Sequence, residues 1–232
     1  MRILIADDDV EIVAHIREIM SRHGHSCAAL RTGAGLLAEL RRETFDLLLL
    51  DWNLPDISGL ELLQSIRAIP LNLGIIMLTS RASEDDVARA LQAGADDYIV
   101  KPESEQIIIA RMEATLRRTT PSPAPSRLAT FGAYEFDRLT ETVRIGGEPV
   151  SLSAKEFALA LLFFENPHRA MSRGYILESL WHSVADLPTR TLDMHVSRVR
   201  SKLRLRPENG YRIVALSGYG YRMEYFAIES AA

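Results

Sequence analysis

The chain has 232 residues, enough for one large domain or two ordinary ones, and its 47% hydrophobic and 25% charged content is that of a soluble globular protein. A single cysteine, Cys27, excludes an intrachain disulfide; with no signal peptide and no long apolar span, the expected location is a reducing cytoplasm, with no membrane partner. The net charge of −4 is uneven, since residues 1–118 hold 13 Lys/Arg against 19 Asp/Glu and residues 119–232 hold 14 against 12, so the two halves face different partners.

In chain order, "RILIAD" is a short apolar strand followed by the helix "EIVAHIREIM", with Ile12, Val13, Ile16, Ile19 and Met20 on one face. "SCAAL" is a candidate second strand, and "LLAEL" lies in a second helix. "FDLLLLD" is a third strand, apolar on both faces as in the middle of a parallel sheet, and "LELLQSIRAI" a third helix. "GIIMLTS" is a fourth strand, "SEDDVARALQAG" a helix stopped by Gly94, "DYIVKP" a fifth strand and "IIIARMEATLRR" a last helix. Five βα units in succession predict a doubly wound parallel sheet with helices on both faces.

Ligands in such sheets bind beyond the carboxyl ends of the strands. Those ends carry Asp7 and Asp8, Asp51, Thr79 and Lys101. Taken alone, Asp51 is equally a turn-capping residue before the proline of "DWNLPDISG". Three convergent carboxylates repel unless a cation joins them, and a few hard oxygens with room for water suit Mg²⁺. A carboxylate facing such a metal can attack a phosphoryl group, whose new oxygens need a cation and a hydroxyl, here Lys101 and Thr79. The Lys101–Pro102 step allows a cis peptide.

These residues, with "DDYIVKP" ending the fifth strand, make residues 1–118 resemble the receiver domain of bacterial two-component response regulators, a flavodoxin-like (βα)5 fold. The resemblance implies that Asp51 accepts phosphate from a sensor histidine kinase, and that Asp7, Asp8, Asp51 and the Asn53 backbone carbonyl hold Mg²⁺. It makes Thr79 and Tyr98 the switch pair. It also implies an activated homodimer through the fourth helix, fifth strand and fifth helix. Asp96, Asp97, Arg111 and Arg118 fit two of that face's ion pairs. A third falls on Val87 and Ile107, where an apolar contact is expected instead. Glu103 stands where an aromatic is usual, and Ser80 where Ala is commoner.

"TTPSPAPSR", residues 119–127, reads as a semi-flexible spacer. Beyond it, residues 128–232 begin with short alternating strands around the turn "IGGE", followed by a helix with a Ser153/Glu156 capping box. A helix around "RGYILESLW", the loop "HSVADLPT", a basic helix and a hairpin around "GYGYRM" complete the chain. The basic helix, expected from about Arg190 to Arg204, has the apolar stripe Leu192, Val196, Val199 and Leu203. Six cations lie within Arg190–Arg206 against the single acid Asp193. Such a run usually marks a solvated face; the alternative is a helix in the major groove, with Met194, Ser197, Arg198 and Ser201 pointing away from the stripe and Arg198 first in line for a guanine.

"LSAKEFALALL", "SRGYILESLW", "RTLDMHVSRVRSKL" and "GYGYRM" resemble the α+β winged helix-turn-helix effector domain of the OmpR/PhoB family over residues 128–226. The resemblance implies double-stranded promoter DNA as partner. Arg190 would contact phosphate, Thr191, Met194, Ser197 and Arg198 would face the bases, and Arg200 and Lys202 would add DNA contacts. The hairpin after Ile213 would be the wing, and the loop His182–Thr189 the site that engages RNA polymerase. Ser217 stands where the wing usually carries a basic residue. No second catalytic constellation lies outside the phosphate site, so no enzyme of small-molecule metabolism is expected. A regulator indifferent to phosphate, or an adaptor whose winged helix binds protein, are the alternatives. Loss of Arg198 would abolish sequence preference in a DNA-binding protein and leave an adaptor intact.

Overall fold

The run of four leucines forms β3 (Leu47–Leu50), buried at every position because its neighbours and two helical layers cover it. The computed structural model describes residues 1–69, 71–119, 126–181 and 189–226, the side chains of Thr189 and Arg190 excepted. It divides into two compact units, Met1–Pro121 and Ser122–Ala232.

In the first unit β1 (Arg2–Ala6), β2 (Ser26–Leu30), β3, β4 (Gly74–Thr79) and β5 (Asp97–Val100) form one sheet in the order β2-β1-β3-β4-β5. All four pairings are parallel. Side chains alternate between faces with the period of two that strands impose. Ile3, Ile5, Leu47 and Leu49 pack with α1 (Val10–Arg22) and α5 (Glu105–Thr119). Leu4, Ala6, Leu48 and Leu50 pack with α2 (Gly33–Leu40), α3 (Gly59–Arg67) and α4 (Glu84–Gln92). The predicted doubly wound sheet is therefore the observed one. Asp9 caps α1 by accepting from the backbone of Glu11 and Ile12, and Gly94, with φ of 105°, ends α4 where the sequence placed its stop.

The second unit opens with an antiparallel meander of β6 (Leu128–Phe131), β7 (Tyr134–Asp137), β8 (Thr142–Ile145) and β9 (Glu148–Val150). Gly146 and Gly147 take φ of 56° and 84°, as a two-residue hairpin with both central residues left-handed requires. α6 (Ala154–Glu165) starts at the predicted capping box, made by Ser153 and Glu156. α7 (Arg173–Trp181) and α8 (Thr189–Lys202) follow, then β11 (Tyr211–Leu216) and β12 (Gly220–Tyr225). β12 also pairs with β10 (Ala170–Ser172), a three-residue edge strand too short to show a periodicity.

The predicted stripe Leu192, Val196, Val199 and Leu203 is wholly buried, against Tyr134, Phe157, Phe164 and Met223 among others. α8 ends two residues before the expected Arg204. Arg204 turns left-handed, with φ of 50°, and the Leu205 N–H closes back on the Arg200 carbonyl, so the chain leaves the helix. At the unit boundary α5 runs to Thr119, and residues 120–125 of the expected spacer lie outside the described residues. No helix among the described residues is long and apolar enough to cross a membrane.

Candidate functional site

Parallel strands end together, so the carboxyl edge of the first unit's sheet gathers Asp7 after β1, Asp51 after β3, Thr79 closing β4 and Lys101 after β5. The Lys101 ammonium donates to Asp7 Oδ2 at 2.5 Å and to Asp51 Oδ1 at 3.0 Å. The second oxygen of each carboxylate accepts a backbone N–H, from Asp9 on Asp7 at 3.0 Å and from Asn53 on Asp51 at 2.8 Å. Both acids are buried, at 2% and 6% exposure, while Asp8 is exposed. Burial raises the Asp7 pKa above its ordinary value; the hydrogen bond from Lys101 opposes it.

Asp7, Asp8 and Asp51 each present an oxygen within 4.8 Å of the others. Two buried carboxylates and an exposed one, facing one ammonium, leave the pocket over-negative, and the donors are all hard oxygens. That combination suits a small divalent cation. A cleft of about 700 Å³ opens onto these groups, lined also by Asn53, Ser80, Glu103 and His15.

Thr79 is fully buried behind this rim, its hydroxyl accepting from the Arg81 N–H at 3.4 Å. Tyr98 is turned inwards, 6% exposed, and donates its hydroxyl to the Arg81 carbonyl at 2.8 Å. Burial, its leading cause, raises the Tyr98 pKa. Two contributors went unnoticed in the sequence. Trp52, next to the acceptor, is covered by the guanidinium groups of Arg81 and Arg89, 5.1 and 5.8 Å from its ring centre, and both arginines pair with Asp86. Gly59 lets α3 begin against the acceptor's backbone, because a Cβ there would lie 2.1 Å from the Asp51 carbonyl oxygen. "DISG" carried that signal only as a helix start.

The acids and bases of the expected dimer face have partners within the chain. Arg111 pairs with Asp97 at 2.9 Å. The Asp96 carboxylate is taken by Arg67 and by the Ile75 N–H, both at 2.7 Å, which leaves Arg118 donating to the Asp96 backbone carbonyl. Ile107 is 41% exposed and Val87 half-buried; Leu91, 46% exposed, adds an apolar side chain that sequence reading did not single out.

On α8, Met194, Ser197, Arg198 and Ser201 are exposed and Thr191 half-exposed, as the helical spacing predicts. The Arg190 side chain and the loop over residues 182–188 lie outside the described residues. Arg200 and Lys202, expected to add DNA contacts, each have a partner within their own unit, Arg200 half-buried and Lys202 exposed. Arg200 Nε donates to the Ile213 carbonyl at 3.1 Å, its guanidinium 5.6 Å from the Tyr221 ring centre. Lys202 pairs with Glu156 Oε2 at 2.7 Å, because the capping-box carboxylate is buried and requires a cation. Asp193, the acid of this helix, accepts from Arg173 and from the Tyr221 hydroxyl.

Residues 3–113 match the response regulator receiver domain family, and residues 147–223 match the family described as transcriptional regulatory protein, C terminal. Sensory transduction protein RegX3 of Mycolicibacterium smegmatis is 34% identical over 225 residues, covering 96% of this chain and 98% of the relative. DNA-binding response regulator MtrA of the same species is 33% identical over 221 residues, 95% of this chain and 96% of the relative. Phosphate regulon transcriptional regulatory protein PhoB of Pseudomonas aeruginosa is 34% identical over 221 residues, covering 94% and 96%.

Proposed function

This chain belongs to the OmpR/PhoB family of response regulators, transcriptional regulators activated by phosphorylation, and we propose that Asp51 is the residue that takes the phosphoryl group, from a sensor histidine kinase. The observation that carries the assignment is the Lys101 ammonium bridging Asp7 and Asp51 at the ends of three strands. An Asp51 oxygen attacks phosphorus as the phosphorus–nitrogen bond of a phosphohistidine breaks, and the electron pair leaves with the imidazole. Lys101 then transfers a hydrogen bond from Asp51 to a phosphoryl oxygen, and the Thr79 hydroxyl turns to another. Mg²⁺ held by Asp7, Asp8, Asp51 and the Asn53 carbonyl would neutralise the charge gathered there.

Movement of Thr79 is felt by Tyr98, because both side chains meet the backbone of Arg81. This couples the phosphorylated state to the α4–β5–α5 face, through which two copies pair. Val87 and Ile107 supply an apolar contact there, and Asp97 with Arg111 re-pairs between copies. Two effector units then occupy adjacent half-sites of promoter DNA. α8 lies in the major groove with Thr191, Met194, Ser197 and Arg198 towards the bases and Arg190 towards phosphate, and β11–β12 forms the wing. The segment from His182 to Thr189 engages RNA polymerase, and the protein works in the cytoplasm.

The test is selection of random duplexes with and without beryllofluoride and Mg²⁺, on wild type and Asp51→Asn. A repeated motif enriched by wild type only with the phosphate mimic, and by the variant in neither condition, is expected. Equal enrichment in all four conditions would remove Asp51 from control. Enrichment of no motif would remove DNA from the function.

A further inference from the structure

We infer that Met194 and Arg198 together select a thymine beside a guanine: the thioether packs on the thymine methyl, and the guanidinium takes the guanine edge within two base pairs of it. The inference rests on the DNA-binding function proposed above and names the bases that its reading helix selects. Met194 is a large apolar side chain left 43% exposed. At about 100° per residue it stands nearly opposite the buried stripe of Leu192, Val196, Val199 and Leu203, so it is no part of the effector core. A single exposed apolar side chain is ordinary on a protein surface. This one stands in the middle of the face that would enter the major groove. Its neighbours along the chain are engaged elsewhere. Asp193 accepts from Arg173 and from the Tyr221 hydroxyl. His195 has its Nδ1 2.8 Å from the Thr191 carbonyl and its ring edge-on to Trp181, at 5.4 Å between centres.

Arg198 lies one turn further on, exposed and with no ion pair among the described residues. Lys202, Arg204 and Arg206 are exposed as well, but they stand at or beyond the end of α8. In a helix-turn-helix the N-terminal part of the reading helix meets the base edges, so charge at its far end suits phosphates. Four residues of helix rise about 6 Å, less than two base steps of about 3.4 Å. Met194 and Arg198 therefore reach bases that are neighbours or next neighbours. In the major groove the C5 methyl of thymine is the apolar group on offer, and guanine N7 and O6 fit the fork of an arginine. Ser197 and Ser201, the other exposed residues of this face, carry hydroxyls that accept or donate and so discriminate little.

Full-length protein with beryllofluoride and Mg²⁺ would first select its motif from random duplexes. Each thymine of that motif would then be replaced in turn by uracil, which lacks only the methyl, and each guanine by 7-deazaguanine, which lacks the N7 acceptor. Fluorescence anisotropy reads the affinities. In the wild type, uracil at one position of each half-site is expected to weaken binding about fourfold, as one buried carbon returns to water. In Met194→Ala the same replacement is expected to cost less than about twofold, because the partner of the methyl is gone. A 7-deazaguanine within two base pairs of that thymine is expected to cost about tenfold in the wild type and little in Arg198→Ala. Both side chains are exposed, so calorimetry should find the effector unit of each variant melting as in the wild type. Indifference of the wild type to every thymine methyl would overturn the inference. So would a Met194→Ala variant as sensitive to the methyl as the wild type, or a sensitive thymine further than two base pairs from the guanine. In these three outcomes a motif is still selected, and the proposed DNA binding stands. Selection of no motif would overturn that function, and this inference with it.

Discussion

Gly59 and Glu156 are two residues whose importance comes from what they touch. At Gly59 a methyl group would meet the Asp51 carbonyl oxygen, so Gly59→Ala forces α3 or the acceptor loop to move. The expected cost is about 1–3 kcal/mol, as for other overpacking changes. Urea denaturation of the receiver unit measures it, and a slower reaction with a phosphodonor should accompany it. Glu156 has a folded-state pKa below its ordinary value of 4.5. Burial, the largest single influence, raises it, but the combined pull of Lys202 and the Ser153 N–H lowers it further. The stabilisation from this carboxylate is therefore fully present above pH 4.5 and is lost as pH falls through the lower folded value. Glu156→Gln should destabilise the effector unit by about 1–2 kcal/mol at pH 7 and flatten its stability profile below pH 4.5. An unchanged acid slope would show that Lys202 does not depend on this partner.

At the scale of elements, α8 has two faces with separate tasks. Leu192 is completely buried in the effector core. Leu192→Ala should cost about 2–5 kcal/mol and lower the melting of the effector unit while leaving that of the receiver unit in place, as calorimetry of the full chain would show. The α4–β5–α5 face carries the other element-level prediction. Ile107 and Leu91 expose apolar area, and Ile107→Glu places a charge there that pairing would bury. Sedimentation in beryllofluoride and Mg²⁺ should show dimerisation weakened by tenfold or more. Undiminished pairing would mean that copies meet elsewhere. Both α8 faces were readable in the sequence, because a 3.6-residue period assigns side chains to the inside or outside of a helix without knowing the neighbours. That period was silent on Lys202, whose partner lies 46 residues away on α6.

Taken whole, the molecule joins a receiver unit rich in acid to an effector unit with a small excess of base, and the family shared with RegX3, MtrA and PhoB fits that division. The sequence by itself determined the five βα units, the acidic site at the sheet edge and the winged-helix order of the second half. Strand ends in a parallel sheet converge whatever the details, so residues at those ends could be named from the chain alone. Tertiary structure alone decided which charges remain available. It gave Asp96 to Arg67, Arg200 to Ile213 and Lys202 to Glu156, and it set Trp52 beneath two arginines. Charge along a chain is counted locally, whereas its pairing is settled by burial and by neighbours distant in sequence.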